Sequence, residues 1–312
     1  FNIGDSHIDS IKKINFKMTS PYKIEDCEKI TLINPSKWML QGYSKAGERT
    51  GFLLTPIKVL LDAGMTTSII PNAAVITHSH CDHTLNLPLI FNGRQNKLKG
   101  QEKMLGRPVY LPEACLKPIQ KLMEGVIMLS DNDIDTLNLR NKIDFTKPEE
   151  IHRRQGYHPI VVKPNQILTI PGIPNIKMEV LQAYHNTESL GYGFSSIKNK
   201  LKPEYQKKGK DEIMKARKNG EEINYSVITP EVLFFCDSTI DNFSKHTEWI
   251  KYPVIICECT GFPEKHAIDS MTAKYHTHLN QLEPIMKQYT DKQWILAHSS
   301  SSIKQDILEK HE

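Results

Sequence analysis

The chain lacks any run of about eighteen apolar residues, so nothing in it reads as a membrane-spanning helix. It is poor in cysteine: six in 312 residues, Cys27, Cys81, Cys115, Cys236, Cys257 and Cys259, without the spacing of a disulfide framework. Reduced thiols in a cytoplasmic compartment are the plain expectation, with a nuclear or organellar address as the alternative. The first residues, FNIGDSHIDSIKK, carry no charged-then-apolar signal design. No internal repeat stands out, and the excess of one charge sign is small, 40 basic against 36 acidic residues for a formal net charge of +4. A spread-out excess of four would mean little; a clustered one would mean more.

What the chain has is an ordinary globular composition, 39% hydrophobic and 24% charged. Short apolar runs read as strands: TGFLLT, IKVLLDAGM closed by an Asp-Ala-Gly turn, AAVITHSH (73–80) and PVYLP. EACLKPIQKLMEGVIML has helical spacing, with Pro118 suited to an early turn. Residues 130–160 are polar and ambiguous. Further strands are HPIVVK, QILTI, IKMEVLQAYH, EVLFFCDST, PVIICECT and QWILAHSS, and helical patterns fill 270–289 and 302–311. Such an order suggests two packed sheets with helices outside, an α+β arrangement whose strand ends gather on one edge.

The segment ITHSHCDHTLNLP puts three histidines, an aspartate and a cysteine into six positions after an apolar run. Crowded imidazoles ask for a cation. His78 and His80, two apart on an extended end, point the same way. Asp82 and His83 follow on a turn that can aim at a second ion. A histidine or acid ends each later strand: His185, Asp237, Glu258 and His298. Histidine and aspartate suit Zn²⁺, with Mn²⁺ or Fe as alternatives. Two ions need a shared carboxylate, and Asp237, after a wholly apolar strand, is the candidate. Cys81 reads as a bystander, and Cys257 and Cys259 as small core residues.

His78-Ser79-His80-Cys81-Asp82-His83 resembles the H-x-H-x-D-H signature of the metallo-β-lactamase superfamily. AYHNTESLGYGF, ITPEVLFFCDST and ILAHSS, together with the stretch from Leu-Lys-Pro-Glu-Tyr to Ile-Thr-Pro-Glu-Val, resemble the short form of RNase Z, the tRNA 3′-endonuclease, from about residue 45 onward. The resemblance implies a four-layer αββα sandwich over 1–312, with a short protruding basic arm at 195–226. It implies two Zn²⁺ per chain: one held by His78, His80 and His185, the other by Asp82, His83 and His298, with Asp237 bridging. A hydroxide between them would attack the phosphodiester, with Asp82 orienting it. Glu258 and His276 would protonate the leaving 3′-oxygen, with His278 as the alternative donor. The implied substrate is precursor tRNA and the implied assembly a homodimer. Two other readings remain beside it, a small-substrate phosphodiesterase and an inactive RNA-binding paralogue.

Residues 198–218 carry Lys198, Lys200, Lys202, Lys207, Lys208, Lys210, Lys215, Arg217 and Lys218 against three acids. Lysines placed on phosphates give salt-dependent affinity, and double-helical RNA is held by shape. Gly209 and Gly220 read as hinges. The chain departs from the family where Gly-Gly-Leu-Pro becomes Leu85-Asn86-Leu87-Pro88, where Gly-Asp-Thr becomes Cys236-Asp237-Ser238-Thr239, and where an arginine after the last histidine gives way to serines.

Overall fold

A computed structural model describes residues 21–91, 99–101, 103–131, 144 and 146–303. The first sheet runs in chain order from edge to edge: β1 (Lys29–Thr31), β2 (Met39–Lys45), β3 (Arg49–Thr55), β4 (Val59–Leu61), β5 (Ala73–Val75), β6 (Arg107–Leu111) and β7 (Tyr157–Val161). The second has the order β13-β12-β11-β10-β9-β8, built from β8 (Ile167–Ile170), β9 (Ile173–Tyr184), β10 (Glu188–Leu201), β11 (Asn224–Phe234), β12 (Val254–Glu258) and β13 (Gln293–Ala297).

The alternation of side chains along a strand decides the layers. Phe52, Leu54, Val59 and Val75 of the first sheet meet Val180, Tyr192, Phe194, Phe234 and Ile256 of the second in one core. The opposite face of the first sheet, with Leu53, Leu60 and Val109, packs on α2 (Leu87–Phe91), α3 (Glu113–Asp131) and α4 (Pro148–Gln155). The outer face of the second sheet, with Leu233, Phe235 and Leu296, packs on α7 (Asp241–Ser244) and α9 (Leu279–Gln288). The result is helix on sheet on sheet on helix, the α+β sandwich expected. α8 (Ile268–Ala273) precedes α9.

Several local expectations shift. AAVITHSH is strand only over Ala73–Val75, and residues 81–84 form a one-turn helix, α1 (Cys81–Thr84). α3 runs past Pro118. α4 occupies part of the polar stretch because it buries one face only, through Ile151, His152 and Gln155. The helix expected over 270–289 is two, since Tyr275 turns left-handed (φ 61°) between them. The helix expected over 302–311 lies almost wholly outside the described residues.

β10 and β11 stay paired from Tyr192↔Phe234 to Leu201↔Asn224, so the basic segment is the far end of a long hairpin. Its tip carries α5 (Pro203–Gln206) and α6 (Lys210–Lys218) over a small core of Tyr205, Ala216 and Ile223. Gly209 and Gly220 stand at the two ends of α6; Gly220, with φ 80°, takes the left-handed backbone after the helix.

Candidate metal centre

β11, β12 and β13 are parallel neighbours, so their C-terminal ends share one edge. Asp237 follows β11, Glu258 ends β12 and His298 follows β13. The β9–β10 turn brings His185 to the same edge, and the segment after β5 brings His78. The first sheet is tied on by Leu190 N–H donating to the Thr77 carbonyl (3.0 Å) and Tyr192 O–H to the Ile76 carbonyl (2.8 Å). His298 N–H donates to Ser44 Oγ at 2.9 Å, holding the last strand end against β2.

The loop of α1 rests on the Asp62-Ala63-Gly64 turn. Ala63 N–H donates to the His83 carbonyl at 2.6 Å. A side chain at Gly64 would lie 1.7 Å from the Asp82 carbonyl oxygen, so only glycine permits this approach. Asn86 completes the clasp, its side-chain amide donating to the Gly64 carbonyl at 2.7 Å.

All seven expected ligands converge. Donor atoms of His78, His80, His185 and Asp237 lie within 4.8 Å of one another, and so do those of Asp82, His83 and His298. Asp237 divides its two oxygens between the groups. Oδ2 lies 3.7 Å from His78 Nε2 and 3.8 Å from His185 Nε2; Oδ1 lies 3.3 Å from His83 Nε2 and 3.1 Å from His298 Nε2. Asp82 Oδ2 lies 3.4 Å from His83 Nε2 and 3.3 Å from His298 Nε2. Tetrahedral Zn²⁺ with bonds of about 2.0–2.1 Å spaces its donors by about 3.3 Å, so the arrangement fits such ions. Cys81 is exposed and stands outside both groups.

The imidazole tautomers are set from behind. Asp62, fully buried, accepts from His83 Nδ1 (2.9 Å), Thr77 N–H (2.7 Å) and Thr77 Oγ1 (2.9 Å). With its proton given to Asp62, the Thr77 hydroxyl accepts from His78 Nδ1 at 3.0 Å. His185 Nδ1 donates to the Tyr275 carbonyl at 3.2 Å. The Thr260 hydroxyl donates to Glu258 and accepts from His298 Nδ1 at 3.1 Å. Four rings therefore keep Nδ1–H outward and turn an Nε2 lone pair inward, the orientation that metal-binding histidines need. The buried Nε2 atoms of His78, His83 and His185 have no hydrogen-bond partner, and a cation would satisfy all three.

Charge follows the same division. Burial lowers the proton affinity of His78, His80 and His185, leaving neutral donors. Burial alone would raise Asp237, but His298 and His83 outweigh it and hold the carboxyl well below its usual range. Asp82 is likewise held far down by His298 and His83 against its burial. His83 goes the other way: Asp237 overcomes burial and pushes it well up. Among the side chains alone, a proton on His83 answers carboxylates that a divalent cation would answer more fully.

Beside this cluster, His276 Nδ1 donates to Glu258 Oε2 at 3.1 Å, and Glu258 is buried. Burial lowers His276, but the Glu258 hydrogen bond and charge outweigh it and bring the ring to about 8. Glu258 is fixed further by Ser238 N–H and Thr260 Oγ1. His276 lies in the link between α8 and α9. His278 instead caps α9: its Nδ1 accepts from Asn280 N–H and its Nε2 donates to the His266 carbonyl, both at 3.1 Å.

The basic residues of the arm sit elsewhere. Eight of the nine are exposed. Lys202 is half-buried and paired with Glu222 at 3.2 Å, and Lys208 lies over the Tyr205 ring. His185 and Asp237 flank the near ends of β10 and β11, so the arm tip is at the far end. The 14 residues of β10, at about 3.3 Å each, separate the two by about 45 Å.

Asp62, Thr77, Thr260 and the Tyr275 carbonyl were not singled out by sequence. Asp62 did carry the signal that marked Asp237, an acid ending an apolar run.

No protein-family model matches the chain. It is 24% identical over 266 residues to tRNase Z TRZ1 of Arabidopsis thaliana, covering 84% of this chain and 85% of that protein. It is 25% identical over 268 residues to the chloroplastic tRNase Z TRZ2 of the same plant, covering 85% and 68%. Among solved structures, the metallo-β-lactamase fold protein YhfI from Bacillus subtilis aligns with a TM-score of 0.49 at 15% identity, covering 90% of each chain. The short form of human tRNase Z aligns with a TM-score of 0.49 at 13% identity, covering 84% of this chain and 92% of that one.

Proposed function

We propose that the chain is a metal-dependent endoribonuclease that removes 3′ trailers from precursor tRNA, leaving a 3′-hydroxyl on the tRNA and a 5′-phosphate on the trailer. The observation that carries the reading is the division of Asp237 between two groups of inward-facing donors. The similarity to two tRNase Z proteins over most of the chain supports the substrate.

His78, His80 and His185 would hold one divalent ion, and Asp82, His83 and His298 the other, with Asp237 between; zinc suits the nitrogen and oxygen donors. When bound, the pair supplies Lewis acidity that polarises the phosphodiester and acidifies water. The chain's own residues do the rest. Asp82, whose Oδ2 also accepts from Gly47 N–H at 3.0 Å, is fixed well enough to orient a water for in-line attack at phosphorus. As the bond from phosphorus to the 3′-oxygen breaks, that oxygen takes a proton from His276. Glu258 holds the ring at Nδ1, leaving Nε2 to carry the transferred proton.

The arm would grip double-helical RNA far from the cut, its exposed lysines neutralising phosphates. Since the arm tip stands at the far end of β10 from its own centre, the expected homodimer offers it a second site to serve.

The test is cleavage of a 3′-extended tRNA by the purified, zinc-supplied protein, with both product ends identified. A cut beside the discriminator base with the stated ends supports the reading, and Asp82→Ala should abolish it while keeping tRNA binding. Hydrolysis of a small phosphodiester without tRNA cleavage would make it a small-substrate enzyme instead. Binding without cleavage of either would make it an RNA-binding protein.

A further inference from the structure

A cleft of about 470 Å³ opens beside the cluster and shares His185 with it as a wall. Tyr184, Thr239, Asp241, Lys245, Thr272 and Tyr275 are among its other lining residues. Nothing in the chemistry above uses this space, yet three features of its lining suit one kind of ligand.

The first is a prepositioned cation. Lys245 Nζ lies 2.8 Å from Asp241 Oδ2 and 4.6 Å from the centre of the Tyr184 ring. Tyr184 is fixed in turn by its hydroxyl, 2.9 Å from His246 Nε2. The ammonium has three donors and Asp241 takes one, so others can meet a phosphate. The second is an open aromatic face. Tyr275 is 47% exposed at the rim of the cleft. Its backbone is left-handed (φ 61°), a conformation seldom kept by an aromatic residue, and its carbonyl holds His185. The third is a set of threonine hydroxyls able to meet polar edges.

A ring to stack on, a cation and small hydroxyls together match one unpaired nucleotide. The position matches too. Tyr275 is bonded through its carbonyl to His185 and is followed directly by His276, so the cleft borders the place where a phosphodiester would be cut.

We propose that this cleft seats one unpaired nucleotide adjoining the scissile phosphodiester, its base stacked on Tyr275 and its phosphate against Lys245. The proposal rests on the endoribonuclease reading.

The experiment compares wild type, Tyr275→Leu, Tyr275→Phe and Lys245→Gln on a 3′-extended tRNA and on bis(p-nitrophenyl) phosphate. Loss of one base stack should lower kcat/KM of Tyr275→Leu about 10-fold or more further on tRNA than on the small diester. Tyr275→Phe should retain RNA activity, and Lys245→Gln should lose RNA activity alone. In parallel, 2-aminopurine placed at each nucleotide flanking the cut should be quenched at one position by wild type and not by Tyr275→Leu. Equal loss on both substrates would make Tyr275 a support for His185 only, and unchanged RNA activity with unchanged quenching would leave the cleft without a nucleotide; either overturns the proposal. If wild type cuts the tRNA and these variants match it, the cleft assignment alone fails. If wild type hydrolyses only the small diester, the substrate reading fails and takes this proposal with it.

Discussion

Asp62 and His83 form a fully buried pair, with Nδ1 of the imidazole 2.9 Å from Oδ2 of the carboxylate. The same carboxylate reaches His78 through the Thr77 hydroxyl. One buried acid therefore orients a ligand of each proposed ion.

Asp62→Asn should consequently weaken both ions. Removing such an outer partner typically costs 10–100-fold in metal affinity, and competition with a zinc chelator checks it. Loss at one ion only would mean that the Thr77 relay does not orient His78.

His276 gives the pH prediction. Its folded value is raised to about 8, above the ordinary 6.5, so its Glu258 contact stabilises the protein fully below about 6.5 and less as pH rises through 8. In metal-free protein, NMR titration should find His276 near 8. Glu258→Gln should bring it down and remove the corresponding pH dependence of unfolding, whereas an unchanged titration would detach Glu258 from the proposed proton donor.

Ion binding and stability are linked. At a free concentration of 100 Kd, one site adds about 2.7 kcal/mol to the folded state. Zinc should raise the unfolding temperature and EDTA lower it, because the ions would relieve buried donors that otherwise face one another. Insensitivity of the unfolding temperature to both would count against a folded-state metal site.

The arm can be shortened without touching the sandwich. Leu201 pairs with Asn224, so replacing 202–223 by Asn-Gly should close the hairpin with a two-residue turn. It removes Lys202, Lys207, Lys208, Lys210, Lys215, Arg217 and Lys218. Affinity for tRNA should fall by about tenfold or more at 0.1 M salt and its salt dependence should flatten, with small-diester hydrolysis unchanged. Parallel loss of both activities would make the arm part of the fold.

What the sequence displayed and what it hid have physical causes. Imidazoles and carboxylates at the ends of apolar runs are conspicuous, so His78, His80, Asp82, His83, His185, Asp237 and His298 could be named from the chain, and the likeness to RNase Z they suggested recurs in the two plant relatives. Asp62 stayed hidden because its partner His83 is 21 residues away and meets it only through the fold. The outer half of β10 stayed hidden because a hairpin leaving the sandwich has no apolar face to display: Lys198, Asn199 and Lys200 are all exposed. The break between α8 and α9 depends on Tyr275 entering a backbone region that composition does not announce.

The most direct test of the account is the number of metal ions per chain, by elemental mass spectrometry on protein prepared with zinc. Two ions in the wild type are expected, with His185→Ala and His298→Ala each retaining about one and Asp237→Ala retaining fewer than either. A single ion in the wild type that is lost on Cys81→Ser, or two ions unaffected by Asp237→Ala, would contradict it.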